Sequence, residues 1–249
     1  MPGYFLKTLA NGIDVLQLLQ DGPLRQEQIS GTLHLPVAVT YRIIRTLHDK
    51  GFVSRQPDGT VALTLAAWEL GMSARTSPDV RLAVANHVGH LMDAFGETVH
   101  LSVYDSGDVV YIDKWDGTNP LRSYTRLGGR SPAYCVATGK ALLAFQPAAE
   151  IQRLLRGGLQ RYTQRTVVNP DLLRIQLNSI HRGHISINTG ELNCEVGGLA
   201  VPLRDSTGVV AALGLSGPAE RMLANRPDYE QALWQAARRI EEELGIRNA

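Results

Sequence analysis

Apolar residues Leu9, Ile13, Leu16 and Leu19 recur at helical spacing and stop at Asp21-Gly22-Pro23, which predicts a first amphipathic helix closed by a turn. A shorter helix fits residues 24–32, with Ile29 and Leu33 facing inward. Pro36 suits the first turn of a third helix running to Lys50, with Thr40, Ile43, Ile44 and Leu47 on one stripe. Its other face carries Val37, Ala38, Tyr41, Arg42 and Arg45, and Gly51 ends it. Residues 52–55 and 60–63 then alternate like strands around Pro57-Asp58-Gly59, strong turn chemistry. Three short helices and a hairpin predict a winged helix-turn-helix over residues 1–65.

Beyond it, Val80, Val84, Val88, Leu91, Met92 and Phe95 follow a helical period, with Ser77 as N-cap and Pro78 at the first helical position. Residues 66–95 thus read as a helical linker, with a boundary near residue 75. From Thr98 the period changes to two. Strands fit 98–104 and 108–115 around Asp105-Ser106-Gly107, then 121–126, 185–188, 199–204 and 209–216, the last two joined through Asp205-Ser206-Thr207-Gly208. Helices fit 136–145, 147–156, 170–183 and 229–244, the third opening on Asn169-Pro170-Asp171. The expected class is α+β: a winged helix-turn-helix, a helical linker, and an antiparallel-sheet domain over residues 96–249.

Composition narrows the function by exclusion. The 249 residues are 44% hydrophobic and 20% charged with a net charge of +1, as in an ordinary globular chain. No run of roughly 18 apolar residues could span a bilayer, and the N-terminus lacks a secretory pattern, so the expectation is a cytoplasmic protein without a membrane partner. Cys135 and Cys194 stand outside any C-x-x-C, which argues against a disulfide framework or zinc finger. The pairs His87/His90 and His181/His184 could share helix faces, yet without cysteines or paired carboxylates they read as surface or capping histidines; neither metal nor cofactor is expected.

Charge alone gives no support for nucleic-acid binding, because residues 1–65 hold Lys7, Arg25, Arg42, Arg45, Lys50 and Arg55 against Asp14, Asp21, Glu27, Asp49 and Asp58. Placement does. In a winged helix-turn-helix the third helix enters the major groove, so Val37, Ala38, Tyr41, Arg42 and Arg45 would meet bases and phosphates of double-stranded DNA, and Arg55 on the wing a phosphate. The alternative is a helical surface that contacts proteins.

Leu35-Pro36, the run Tyr41-Arg42-Ile43-Ile44-Arg45-Thr46-Leu47, Gly51-Phe52-Val53 and Leu70-Gly71 resemble the DNA-binding half of the IclR family of regulators. The second half resembles it too: residues 96–101 (Gly-Glu-Thr-Val-His-Leu), 109–112, 137–144 (Ala-Thr-Gly-Lys-Ala-Leu-Leu-Ala) and 211–218. The resemblance implies a dimer contact in the linker, a GAF-like effector-binding domain, dimers or tetramers, and a response to small organic acids or aromatic compounds, commonly through repression. One departure is Val37-Ala38-Val39, where the family usually has a basic residue and Ser-Thr; contact with thymine methyls could replace the polar contacts.

For the effector, the small-residue segment 128–140 is the most informative, with Gly129, Arg130, Ala133, Tyr134 and Cys135 as candidates. Arg122, Arg126 and Arg130 could each anchor a carboxylate, Arg130 first because it adjoins that segment. The resemblance adds Asn188, Gly198, Gly214 and Ser216, at positions where the family usually has Asp, Cys and two serines, and the two glycines imply a roomier pocket and a bulkier, aromatic ligand. An enzyme would use Cys135 as nucleophile, but the sequence places no histidine beside it and holds no catalytic glycine motif.

Overall fold

The computed structural model describes residues 5–72, 78–120 and 125–245. The chain divides into two compact units, Met1–Arg75 and Thr76–Ala249.

In the first unit, helices α1 (Lys7–Leu18), α2 (Gln26–Thr32) and α3 (Val37–Asp49) precede an antiparallel hairpin of β1 (Val53–Arg55) and β2 (Val61–Leu63), followed by α4 (Leu65–Met72). Val15, Leu19, Ile29, Ile43, Ile44, Val53 and Val61 form its core. The predicted stripe of α3 is the buried one, with Thr40 and Ile44 fully enclosed. Gly51, at φ +80°, supplies the left-handed residue that ends α3 and lets the chain turn into β1. A bridge from Leu24 to Val61 ties the hairpin to the helices.

The stripe of α1 departs from the sequence reading. Of the predicted stripe, Leu19, just past the end of the helix, is buried and Leu16 packs against the core, but Leu9 and Ile13 are 61% and 47% exposed, and Val15 is the fully buried residue of the helix. Leu9 and Ile13 are the uncovered part of that stripe and line an open groove with Val39, Arg42 and Ile43 of α3.

The second unit is a six-stranded antiparallel sheet in the order β5-β4-β3-β8-β7-β6, from β3 (Thr98–Asp105), β4 (Asp108–Trp115), β5 (Arg130–Pro132), β6 (Ser186–Thr189), β7 (Val196–Asp205) and β8 (Gly208–Pro218). On one face, α5 (Pro78–His87), α6 (Gly89–Phe95) and α11 (Arg226–Glu243) join Val99, Leu101, Leu199, Leu213 and Leu215 in one core. On the other, α7 (Ala137–Leu143) and α9 (Pro170–His181) pack with Val109, Tyr111, Ala200 and Ala212. Helices α8 (Ala148–Arg156) and α10 (Ala219–Ala224) complete the unit. Both faces of the sheet are therefore covered, and each strand divides its residues between them with period two.

Asn169 caps α9 as its sequence requires, its side chain accepting from the backbone N–H of Asp171 at 2.8 Å and of Leu172 at 3.3 Å. Of the strand expected over 121–126, residues 121–124, Arg122 among them, lie outside the described residues, as does Ser77. Thr125 and Arg126 are not in a strand. The short β5 and α10 carry too few periodic residues to stand out in the sequence.

Candidate functional site

Two surfaces hold the candidate residues, one in each unit. On α3, Val37, Tyr41 and Arg45 succeed one another at four-residue intervals, with Ala38 and Arg42 beside them, and all five are exposed. Val37 and Tyr41 expose 56% and 45% of their surface on the side of α3 opposite its buried stripe. Arg55, at the end of β1, is exposed on the wing.

In the second unit the sheet and α7 enclose a cavity of about 250 Å³. Its floor is the α7 side of the sheet: Tyr111 from β4, His100 from β3, Gly214 and Ser216 from β8, Gly198 from β7 and Asn188 from β6. Thr125, Ser131, Val136, Ala137, Thr138, Leu192, Asn193 and Val196 close the sides. The Ser186 hydroxyl donates to the Ala137 carbonyl at 2.6 Å and holds the start of α7 against β6.

Polar groups of the lining are paired with one another. His100 Nε2 lies 2.6 Å from Ser216 Oγ and 3.4 Å from Thr125 Oγ1. The Tyr111 hydroxyl donates to Ser131 Oγ at 3.4 Å, and the Tyr111 ring tilts against the imidazole with centroids 5.2 Å apart. Burial, reinforced by the nearby Lys114 charge, pushes the His100 imidazole down to about 4, so it is neutral at physiological pH. Asn188 accepts at Oδ1 from the backbone N–H groups of Gly190 at 3.0 Å and Glu191 at 2.8 Å, which fixes its side chain at the cavity wall.

Behind the cavity, Lys140 of α7 and Glu191 form a buried ion pair, Nζ to Oε1 2.7 Å, and the ammonium also donates to Gln176 Oε1 at 3.2 Å. Burial pushes the lysine down and the carboxyl up, while each partner holds the other charged. Thr163 donates to the Gly190 carbonyl and Thr166 to that of Glu191, both at 2.7 Å, so the loop supplying Leu192 and Asn193 is pinned from two sides.

Of the nine effector candidates, Asn188, Gly198, Gly214 and Ser216 line this cavity, and Gly129, Arg130, Ala133, Tyr134 and Cys135 do not. Arg130 pairs on the surface with Asp105 at 2.6 Å and Asp108 at 3.2 Å. Tyr134 donates to the Gln160 carbonyl at 2.9 Å, and Ala133 is fully buried. Cys135 is a core residue whose thiol burial pushes up to about 12, the opposite of an activated nucleophile. Nor does Gly214 make the pocket roomier: a Cβ there would lie 2.6 Å from Thr138 Cγ2, so the space its side chain lacks is already filled by α7.

His100 and Lys140 escaped the sequence reading. Thr98, His100 and Ser102 alternate with Val99, Leu101 and Val103, which reads as a strand with a solvated polar face; in the structure that face is buried under α7. Lys140 is the one charged residue in an otherwise small and apolar helix, and that isolation was its signal. One histidine of each pair has a local partner: His87 pairs with Glu243 at 2.8 Å, and His181 Nδ1 meets the Ala144 carbonyl at 3.0 Å.

A winged helix-turn-helix in one unit and an antiparallel domain with a cavity in the other are the architecture of a DNA-binding transcription regulator. Residues 8–57 match the IclR helix-turn-helix domain, and residues 72–242 match the bacterial transcriptional regulator IclR C-terminal domain. The chain belongs to the IclR family. It is 31% identical to the transcriptional regulator KdgR of Escherichia coli over 225 residues, covering 89% of this chain and 86% of that one. It is also 31% identical to the transcriptional repressor AllR of Klebsiella pneumoniae over 251 residues, 97% and 91% of the two chains. The Thermotoga maritima IclR structure superposes with a TM-score of 0.76 at 28% identity, over 97% of this chain and 100% of that one. An IclR homolog of Microbacterium hydrocarbonoxydans, solved with 4-hydroxybenzoate, shares the fold with a TM-score of 0.85 at 24% identity, over 96% and 99%.

Proposed function

We propose that this protein is a cytoplasmic repressor whose DNA affinity is set by a small organic effector, a carboxylic acid or a single-ring aromatic, bound in the cavity between the sheet and α7. The observation that carries the reading is the cavity itself, to which Asn188, Gly198, Gly214 and Ser216 come from three separate strands. Its volume of about 250 Å³ exceeds the roughly 150 Å³ that accommodates benzene in an engineered core. It falls below the ~300–1,000 Å³ of sites for drug-sized ligands, which fits one substituted ring or a short acid. The 4-hydroxybenzoate carried by the Microbacterium homolog is of that size class.

Residues 1–65 bind operator DNA, with α3 in the major groove. Arg42, Tyr41 and Arg45 read bases and phosphates, Val37 and Ala38 meet thymine methyls, and Arg55 contacts a phosphate from the wing. Residues 66–95 link this module to a GAF-like effector domain, residues 96–249, and contribute to dimerisation. The uncovered apolar stripe of α1 supports assembly into a homo-oligomer, dimer or tetramer, since contiguous exposed apolar surface marks interaction sites. Repression is favoured by the likeness to AllR over nearly the whole chain. No cofactor enters the scheme, and no described helix is long and apolar enough to cross a membrane.

The test selects operator sequences from a random duplex library, then measures affinity with and without compounds that raise the melting temperature of the full chain. An effector should shift operator affinity by about 5- to 150-fold. Stabilising compounds that leave operator affinity unchanged would sink the reading.

A further inference from the structure

His100 sits in the middle of the cavity floor, 4% exposed, where an apolar ring of similar size would pack without any polar group to satisfy. One ring nitrogen, Nε2, faces the hydroxyls of Ser216 and Thr125, both cavity-lining; among the described residues Nδ1 has no partner. The neighbouring polar pair, Tyr111 and Ser131, is also made of hydroxyls. No Lys, Arg, Asp or Glu stands among the described residues that line the cavity. Lys114, opposite His100 on β4, is already paired with Asp116 at 3.0 Å, so a carboxylate brought to this wall would lose its hydration for a cation whose charge is largely offset, whereas an uncharged hydrogen-bonding group loses far less.

On the reading of this cavity as the effector site, we infer that His100, with Ser216 and Thr125, is the specificity-determining group that selects an effector carrying a hydroxyl on its ring. A hydroxyl both donates and accepts. It can therefore complete the wall whichever imidazole tautomer is present, replacing or extending the Ser216 contact. The neutral imidazole, held uncharged down to about pH 4, keeps this wall free of charge throughout the physiological range. Asn188 and Asn193, also in the lining, are then left for the other end of the molecule. A ligand lacking the hydroxyl keeps the existing pairs but covers the remaining hydrogen-bonding capacity of the Ser216 and Thr125 hydroxyls without meeting it, which is how a buried hydrogen-bonding site discriminates.

The experiment is calorimetric titration of the full-length protein with 4-hydroxybenzoate and with benzoate, which differ only in that hydroxyl. The wild type should prefer 4-hydroxybenzoate by at least about tenfold. In His100→Phe the preference should collapse through loss of 4-hydroxybenzoate affinity, with benzoate binding kept. Ser216→Ala should narrow the gap in the same direction, and it decides the matter if circular dichroism shows His100→Phe unfolded. Equal affinities in the wild type, or a preference undiminished in the folded variants, would overturn the role of His100 and leave the effector cavity standing. Binding of neither compound would overturn the cavity as a single-ring site and this inference with it.

Discussion

Gly214 pairs with His100 across β3 and β8 and lies directly under α7. A serine there, restoring the family's usual residue, would drive its Cβ to 2.6 Å from Thr138 Cγ2 and 3.1 Å from the Leu199 carbonyl. Overpacking of this kind costs typically about 1–3 kcal/mol, so Gly214→Ser should lower the melting temperature by several degrees, read by calorimetry. His100 gives a second prediction, in pH. Its folded-state value of about 4 lies below the ordinary 6.5, so between these the unfolded chain takes up a proton that the folded chain refuses. The stability it contributes is complete above pH 6.5 and lost as pH falls to about 4, roughly 3 kcal/mol in all. Urea denaturation of wild type and His100→Phe across pH 4–7 should show the wild type losing more stability on acidification. Parallel profiles would mean the imidazole is not held neutral. Lys114 lowers this titration and Asp116 opposes it, so the sign rests chiefly on burial.

Among the elements, α3 and the wing carry separable roles. Arg42→Ala removes a side chain from the exposed face of α3 without touching the Ile43/Ile44 core, so the fold should persist while operator affinity falls by about 1–3 kcal/mol and sequence preference relaxes. Arg55→Ala should instead weaken binding to all duplexes alike and reduce the slope of log affinity against log salt by about one. Anisotropy titrations at several salt concentrations distinguish the two. Identical effects from both variants would show that α3 does not read bases. The element legible only in part is α1: of the stripe Leu9, Ile13, Leu16 and Leu19, the last two pack into the core and the first two stay exposed, because a stripe records which residues are apolar, not which neighbour covers them.

For the whole molecule, that uncovered stripe yields a test of assembly. Leu9→Glu with Ile13→Glu places charge where Leu9 and Ile13 are exposed, so each chain should fold normally while sedimentation shows the oligomer dissociating. An unchanged sedimentation coefficient would remove α1 from the interface. The sequence by itself determined the class and order of most of the longer elements, because periodicity and turn chemistry are local: the α3 stripe, the Asn169 cap and the hairpins at Pro57-Asp58-Gly59 and Asp105-Ser106-Gly107 were all legible. Family motifs spread along the chain likewise fixed four of the cavity residues. What only the tertiary structure decided is which side of each element meets another. The alternation of β3 shows two faces but not that both are covered, so the polar row with His100 reads as solvated until α7 is laid over it. Arg130 looks like an anchor until the sheet sets Asp105 and Asp108 beside it. Lys140 looks exposed until the β6–β7 loop brings Glu191 to within 2.7 Å. Burial and pairing are properties of contacts between residues far apart in sequence, and those contacts exist only once the chain has folded.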